Sequence, residues 1–198
     1  MFLARRPSHT TIDRFLRDSR DLPLSYGPSG ILDADAGQGA RDCATVAIGQ
    51  GAADFERARS ALMTWRQFDL GWVEIFPRQA PLAPGTVVAV LIRHLGFWSL
   101  NGCRVVYGVG SPHDAARYGY AYGTLTNHAE SGEEAFDVFR DPQTDRVMYR
   151  IRAVSWPQAT LARIGQPVVR MLQARFRTDS AAAMRRAVRM TPTSSPED

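Results

Sequence analysis

The residues best equipped for chemistry stand together in YGTLTNHAESGEEAFDVF, residues 122–139. One imidazole, His128, and three carboxylates, Glu130, Glu133 and Glu134, lie between two stretches of strand-like composition. Imidazole and carboxylate both ligate divalent metals. The H-x-E-x-x-E spacing, however, enters a strand, whose alternation sends Glu133 and Glu134 to opposite faces. At most part of the set therefore converges, and no metal is expected. Gly132 reads as a turn, Glu133 as solvated, and His128 and Glu130 as partners of loop amides. Glu134 shares parity with Phe136 and Val138 and so points toward an interior. A desolvated carboxylate holds its proton to higher pH and suits general acid–base work, with His128 the second candidate. The competing reading buries Glu134 as an ion pair with Arg104, because a charge inside a fold needs a partner.

Other polar candidates lie nearby. Tyr118, Tyr120 and Tyr122 alternate with Gly119, Ala121 and Gly123, so the tyrosines share one face. Their hydroxyls either line a pocket or form a ladder in solvent. Thr124 follows them. Ser155, just before Trp156 and Pro157, is either a helix cap or a polar handle at a pocket mouth. The candidate ligand-binding set is Arg104, Tyr120, Tyr122, Thr124, His128, Glu134 and Ser155; the acid–base candidates are Glu134 and His128. No G-x-S-x-G surrounds Ser155, and no phosphate loop or G-x-G-x-x-G follows a strand. No cofactor is expected.

The surrounding elements must position these groups. TTIDRFLRDSRD carries Ile12, Phe15 and Leu16 at helical spacing behind a threonine cap. LPLSYGPSGILDADAGQGA is loop. Ala44, Val46 and Ile48 suggest a strand ending at Gly49, and Phe55, Ala58, Leu62 and Trp65 form the apolar stripe of a helix. GWVEIFP reads as a strand stopped by Pro77. From residue 85 strands follow one another, with a turn expected at Asn101-Gly102. Val147, Tyr149, Ile151, Ala153 and Ser155 alternate with Met148, Arg150 and Arg152 on a half-buried strand. Leu161, Ile164, Val168, Leu172, Phe176, Ala183 and Ala187 keep a helical repeat, kinked or divided at Pro167.

The order is thus strand, helix, six strands, long helix. Consecutive antiparallel strands twist and curl, and the terminal helix is the large apolar element available to cover the concave face. The fold class expected is α+β: a curved seven-stranded antiparallel sheet gripping a long C-terminal helix, with a cavity between them. The divisions are 1–40, an irregular N-terminal extension with a short helix and loop; 41–189, the helix-grip domain; and 190–198, a tail of disordered composition.

At 198 residues the chain fits one domain with tails. Its net charge is +4, and all 24 basic residues are arginine. They crowd RMLQARFRTDSAAAMRRAVRM, where clustered arginine could meet nucleic acid or anionic lipid, but the excess is modest and a solvated helix face is the simpler reading. The longest aliphatic run, Val87 to Ile92, falls far short of the ~20 residues that cross a bilayer. No transmembrane segment or signal peptide is expected. Cys43 and Cys103 lack C-x-x-C spacing and read as buried thiols in a reducing, cytoplasmic compartment.

FERARSALMTWRQF, NGCRVVY, YAYGTLTNHAESGEEAF and AVSWPQATLARIGQPVVRMLQARF resemble domain-of-unknown-function family 1990, also called uncharacterised protein family 0548. The resemblance covers roughly residues 24 to 189 and rests above all on G-T-L-x-x-H-x-x-x-G-E-E-x-F. Near the N-terminus LSYGPSGIL keeps the family's Tyr and Gly but has Ile31 in place of Thr. The resemblance implies the helix-grip superfamily of Bet v 1-like, lipid-transfer and polyketide-cyclase-like proteins, and no reaction. The function expected is binding of a small apolar or amphipathic molecule in the cavity. The alternatives are a cyclase- or hydrolase-like enzyme using the same cavity, and a nucleic-acid or membrane accessory acting through the arginine-rich helix.

Overall fold

The computed structural model describes residues 1–33, 40–110, 114–157 and 166–190. The element order is β1 (Phe2–Leu3), α1 (His9–Ser19), β2 (Ala40–Gln50), α2 (Gly51–Met63), a 3-10 turn (Arg66–Phe68), β3 (Val73–Phe76), β4 (Val87–His94), β5 (Phe97–Val109), β6 (Arg117–Thr124), β7 (Glu130–Arg140), β8 (Arg146–Pro157) and α3 (Gln166–Arg189). Seven strands form one antiparallel path, β2-β8-β7-β6-β5-β4-β3. An eighth, β1, pairs with the start of β5, Phe2 opposite Ser99. The α+β helix-grip architecture is as expected, with this short strand added.

Alternation along the strands sorts the two faces. The concave face carries Val88, Val90, Cys103, Val105, Tyr120, Tyr122, Phe136, Val138, Val147, Tyr149 and Ile151, which pack against α2 and α3 in one buried cluster. The tyrosine row therefore faces the interior. Phe55, Ala58 and Leu62 of α2 are in that cluster. The helix ends at Met63, and Trp65 turns the chain in a left-handed conformation (φ 58°) while its indole N–H donates to the Ala80 carbonyl at 2.8 Å. In α3, Leu172, Phe176, Ala181, Met184 and Val188 pack onto the concave side.

The N-terminal extension covers the opposite face. Ile12 and Phe15 of α1 bury against Phe76, Ala89, Leu91 and Leu100, and Leu32 buries against Val109, Ala121, Ala135 and Val154. The cap of α1 is Ser8, which accepts the Thr11 N–H at 3.2 Å and stands in place of the expected threonine.

One local reading changes. The β4–β5 turn is Leu95-Gly96, both with positive φ (48° and 82°), and β5 runs straight through Asn101-Gly102. Gly102 is there because the Asn127 side chain lies on it: a Cβ would sit 2.3 Å from Asn127 Oδ1. Pro167 is the second residue of α3 as described, a position where a missing N–H costs nothing, and the stretch before Gln166 that it was expected to kink or divide lies outside the described residues. Leu161, Ile164 and the tail 191–198 lie outside the described residues.

Candidate functional site

At one end of the sheet the strands β3 to β8 and the first half of α3 do not close on each other. They leave a cavity of about 220 Å³. For scale, a cavity of ~150 Å³ accepts benzene. Its apolar wall is built from Phe68, Trp72, Val90, Ile151, Leu172 and Phe176. The rings form a connected group: Phe68 lies 5.4 Å from Phe176 and 6.3 Å from Tyr122, and Tyr122 lies 5.6 Å from Phe136. Phe2 lines the cavity yet is 67% exposed, which places the mouth beside β1 and the β4–β5 turn.

The helix side is pinned by polar contacts. Trp72 Nε1 donates to Asp179 at 2.8 Å, Arg175 pairs with Asp179 at 3.3 Å, and the Arg175 guanidinium stacks 4.5 Å above the Trp72 ring. Arg177 reaches across to Asp42 of β2 at 3.2 Å.

The polar end is built on β6, β7 and β8. Register places Tyr122 directly opposite Glu134, and the phenol donates to Glu134 Oε2 at 2.6 Å. Burial pushes the Glu134 carboxyl up to about 7; the Tyr122 hydrogen bond and Arg177 oppose this, while Glu130 and Asp42 add to it. Four positions earlier, Glu130 is also raised by burial. Gln173 Nε2 donates to both Glu130 oxygens at 3.3 Å and to Ser155 Oγ at 3.2 Å, tying α3 to β7 and β8. His128 Nδ1 accepts the Glu130 N–H at 2.9 Å, which leaves the proton of the neutral ring on Nε2. Burial lowers this imidazole to about 4, so it is uncharged at neutral pH. The arrangement offers a carboxyl that exchanges its proton near pH 7, a second carboxyl beside it, and a neutral imidazole, at the end of an aromatic slot.

Of the candidate residues, Tyr122, Thr124, His128, Glu134 and Ser155 line this cavity. Thr124 commits its hydroxyl to structure: it accepts the Gly132 N–H at 2.9 Å, donates to the Gly132 carbonyl at 3.1 Å and lies 2.6 Å from Ser25 Oγ. Arg104 and Tyr120 are elsewhere. Arg104 extends over the outer face, donating to the Arg20 and Leu22 carbonyls at 2.7 and 2.9 Å, so it does not pair with Glu134. Tyr120 is fully buried in the core, where Gln67 donates to its hydroxyl.

Glu133, read as solvated, is 2% exposed. On the outer face it accepts the Tyr26 hydroxyl and the Gly30 N–H at 2.9 Å each, and the Tyr107 hydroxyl at 2.5 Å. The first carboxylate of G-E-E thus fastens the N-terminal loop, and Gly123 leaves room for it: a Cβ there would meet the Tyr26 oxygen at 2.1 Å. Ile31, standing where Thr was expected, packs beside Leu32 instead. Cys43, read as buried, is exposed; Cys103 is buried. Among the described residues no three His, Cys, Asp or Glu side chains gather as a metal site.

Sequence reasoning missed Phe68, Trp72, Gln173, Phe176 and Arg177 as cavity residues. A signal was present on α3. Gln173 and Arg177 interrupt the apolar stripe of Val169, Leu172 and Phe176 at i, i+4 spacing, and polar groups on a buried helix face need a polar destination.

The family model described as "Domain of unknown function (DUF1990)" matches residues 35–183. A "UPF0548 protein" of Dictyostelium discoideum is 32% identical over 207 residues, covering 95% of this chain and 96% of the relative. A second "UPF0548 protein", from Deinococcus radiodurans, is 34% identical over 189 residues, covering 88% and 92%. Among solved structures, the Zhui aromatase/cyclase of Streptomyces sp. R1128 superposes with a TM-score of 0.50 at 13% identity, over 76% of this chain and 94% of that one. At that identity the likeness is one of fold.

Proposed function

The chain belongs to the DUF1990 family, and from that premise and the cavity geometry we propose that it binds a small amphipathic molecule between the sheet and α3. The observation that carries this reading is the cavity itself: about 220 Å³, walled by Phe68, Trp72 and Phe176, and ending in Tyr122, Glu134, Glu130 and His128. An apolar slot with a few convergent polar groups is the ordinary form of a small-molecule site. Its volume suits a guest the size of a substituted single ring.

Benzyl alcohol tests the proposal. Titrated into the protein, it is expected to shift the backbone amide resonances of Tyr122, Glu134 and Phe176 and to leave those of α1 in place. Ala153→Phe, which puts a ring where β8 borders the cavity, is expected to remove those shifts while retaining a cooperative melt. Shifts spread evenly over the surface, or unchanged in Ala153→Phe, would refute internal binding.

A second reading, acid–base catalysis on the bound molecule, is favoured by one specific feature. Glu134 lines the cavity and holds its proton to about pH 7, the range in which a carboxyl serves as acid or base at neutral pH. Binding by the arginine-rich helix has less support. Arg175 and Arg177 pair with Asp179 and Asp42, and Arg185 donates to the Ala47 carbonyl, so part of that charge is committed within the fold. No helix among the described residues is long and apolar enough to cross a membrane. The two cysteines are free, in keeping with a proposed cytoplasmic setting.

A further inference from the structure

We infer that the guest carries a basic nitrogen, bound as an ammonium against Glu134 and Glu130 with its apolar body among Phe68, Tyr122 and Phe176. This rests on the proposed reading of the cavity as a small-molecule site. What points to it is the balance of donors and acceptors on the wall.

Most amide and hydroxyl donors on the wall are spent; the His128 Nε2–H is not. The Tyr122 hydroxyl is given to Glu134, the Gln173 amide to Glu130 and Ser155, and the Thr124 hydroxyl to Gly132. The Asn101 amide serves Ser99 Oγ at 3.1 Å and the Val90 carbonyl at 3.4 Å. The cation on this wall, Arg177, is neutralised by Asp42. Acceptor capacity is less fully used. Each ionised carboxylate offers about four lone-pair positions, and Glu134 takes one bond from Tyr122 while Glu130 takes a forked one from Gln173. With Asp42 and Arg177 cancelling, Glu130 and Glu134, once ionised, leave the lining with an excess of negative charge. A guest with a carboxylate or phosphate head would meet that charge in a poorly solvated place. An ammonium would supply both the missing donors and the missing charge, and the ring faces of Phe68, Tyr122 and Phe176 attract a cation as well.

The pH dependence follows from the groups that face Glu134. These are Tyr122 and Tyr120 on β6, Cys103 on β5, Tyr149 on β8, Asp42 on β2, Arg177 on α3, Glu130 on its own strand and His128 in the preceding turn. The phenols and the thiol stay protonated and His128 stays neutral around neutrality, so Glu134 is the group that changes charge there, and burial moves Glu130 in the same direction. An ammonium at this site favours their ionised forms, so its binding expels protons and strengthens as pH rises from 5 to 8.

Four probes of nearly equal size decide the matter: benzylamine, benzyl alcohol, toluene and benzoate, titrated calorimetrically. At pH 8 benzylamine is expected to bind at least about tenfold more tightly than benzyl alcohol, the gain of one charge-assisted contact, and benzoate to bind more weakly than toluene. The benzylamine advantage shrinks toward pH 5, and at pH 7 its binding heat depends on the ionisation enthalpy of the buffer. The Glu130→Gln/Glu134→Gln variant brings the amine-to-alcohol ratio close to one. Should that variant fail to fold, the buffer dependence in the unaltered protein decides the same question. If benzyl alcohol or toluene binds and benzylamine gains nothing at any pH, the cavity reading stands and this inference is overturned. If none of the four binds, both fall.

Discussion

Glu133 and Glu134 are consecutive carboxylates with opposite tasks, divided by the alternation of a single strand. Glu133 turns outward and takes three hydrogen bonds from the N-terminal loop and Tyr107. Glu134 turns inward and has one, so burial governs its proton. In the fold Glu134 titrates at about 7 against about 4.3 when unfolded. Its contribution to stability is therefore complete below about pH 4.3 and fades as pH rises through 7. His128 behaves the opposite way, at about 4 folded against about 6.5 unfolded, so its contribution is complete above about 6.5 and fades as pH falls through 4. Between those limits the two slopes oppose each other, each at most about 1.4 kcal/mol per pH unit. Glu134→Gln removes the first slope and leaves the second. Urea midpoints of this variant are expected to drop more steeply than those of the unaltered protein between pH 6.5 and 4.5. Parallel profiles would show that Glu134 ionises in the fold as it does in water.

At the scale of elements, the β4–β5 hairpin shows a local conflict. A tight turn with both central residues at positive φ favours Asn-Gly, yet Leu95 occupies the first position with 69% of its surface exposed. Leu95→Asn is expected to stabilise the protein by about 1 kcal/mol, read from chemical denaturation, because asparagine tolerates that conformation and leucine does not. A loss of stability would mean that Leu95 makes a contact that offsets its strain. The same hairpin explains what could be read in advance. The strands, the α2 stripe and the inward parity of Glu134, Phe136 and Val138 were legible because two- and 3.6-residue periods are direct consequences of burial on one face. The turn was misplaced because Asn101-Gly102 is the usual turn pair and Leu95-Gly96 is not. What Gly102 does instead, accommodating Asn127 from a distant turn, is a tertiary constraint that local pattern does not carry. The reading that pairs Arg104 with Glu134 follows from placing both on neighbouring strands. The true partners of Arg104, the carbonyls after α1, became visible only once the extension was seen to wrap the outer face.

Across the whole molecule, the sheet is covered on both faces, by different means. The N-terminal extension closes the outer face with two packed apolar clusters fastened at Glu133, whereas α2 and α3 close the concave face incompletely. Where α3 departs from the sheet it carries Gln173 and Arg177 inward, so the unfilled space is polar at one end and aromatic along its sides. Tyrosine, two glutamates and histidine are gathered there from β6, β7 and the turn between them. Internal binding requires that this space be available to a guest. A crystal structure of the protein soaked in benzyl alcohol tests that directly. Density is expected for the ring between Phe68 and Phe176, with the hydroxyl directed at Glu134. Side chains collapsed across that space, or a probe found on the outer surface only, would contradict it.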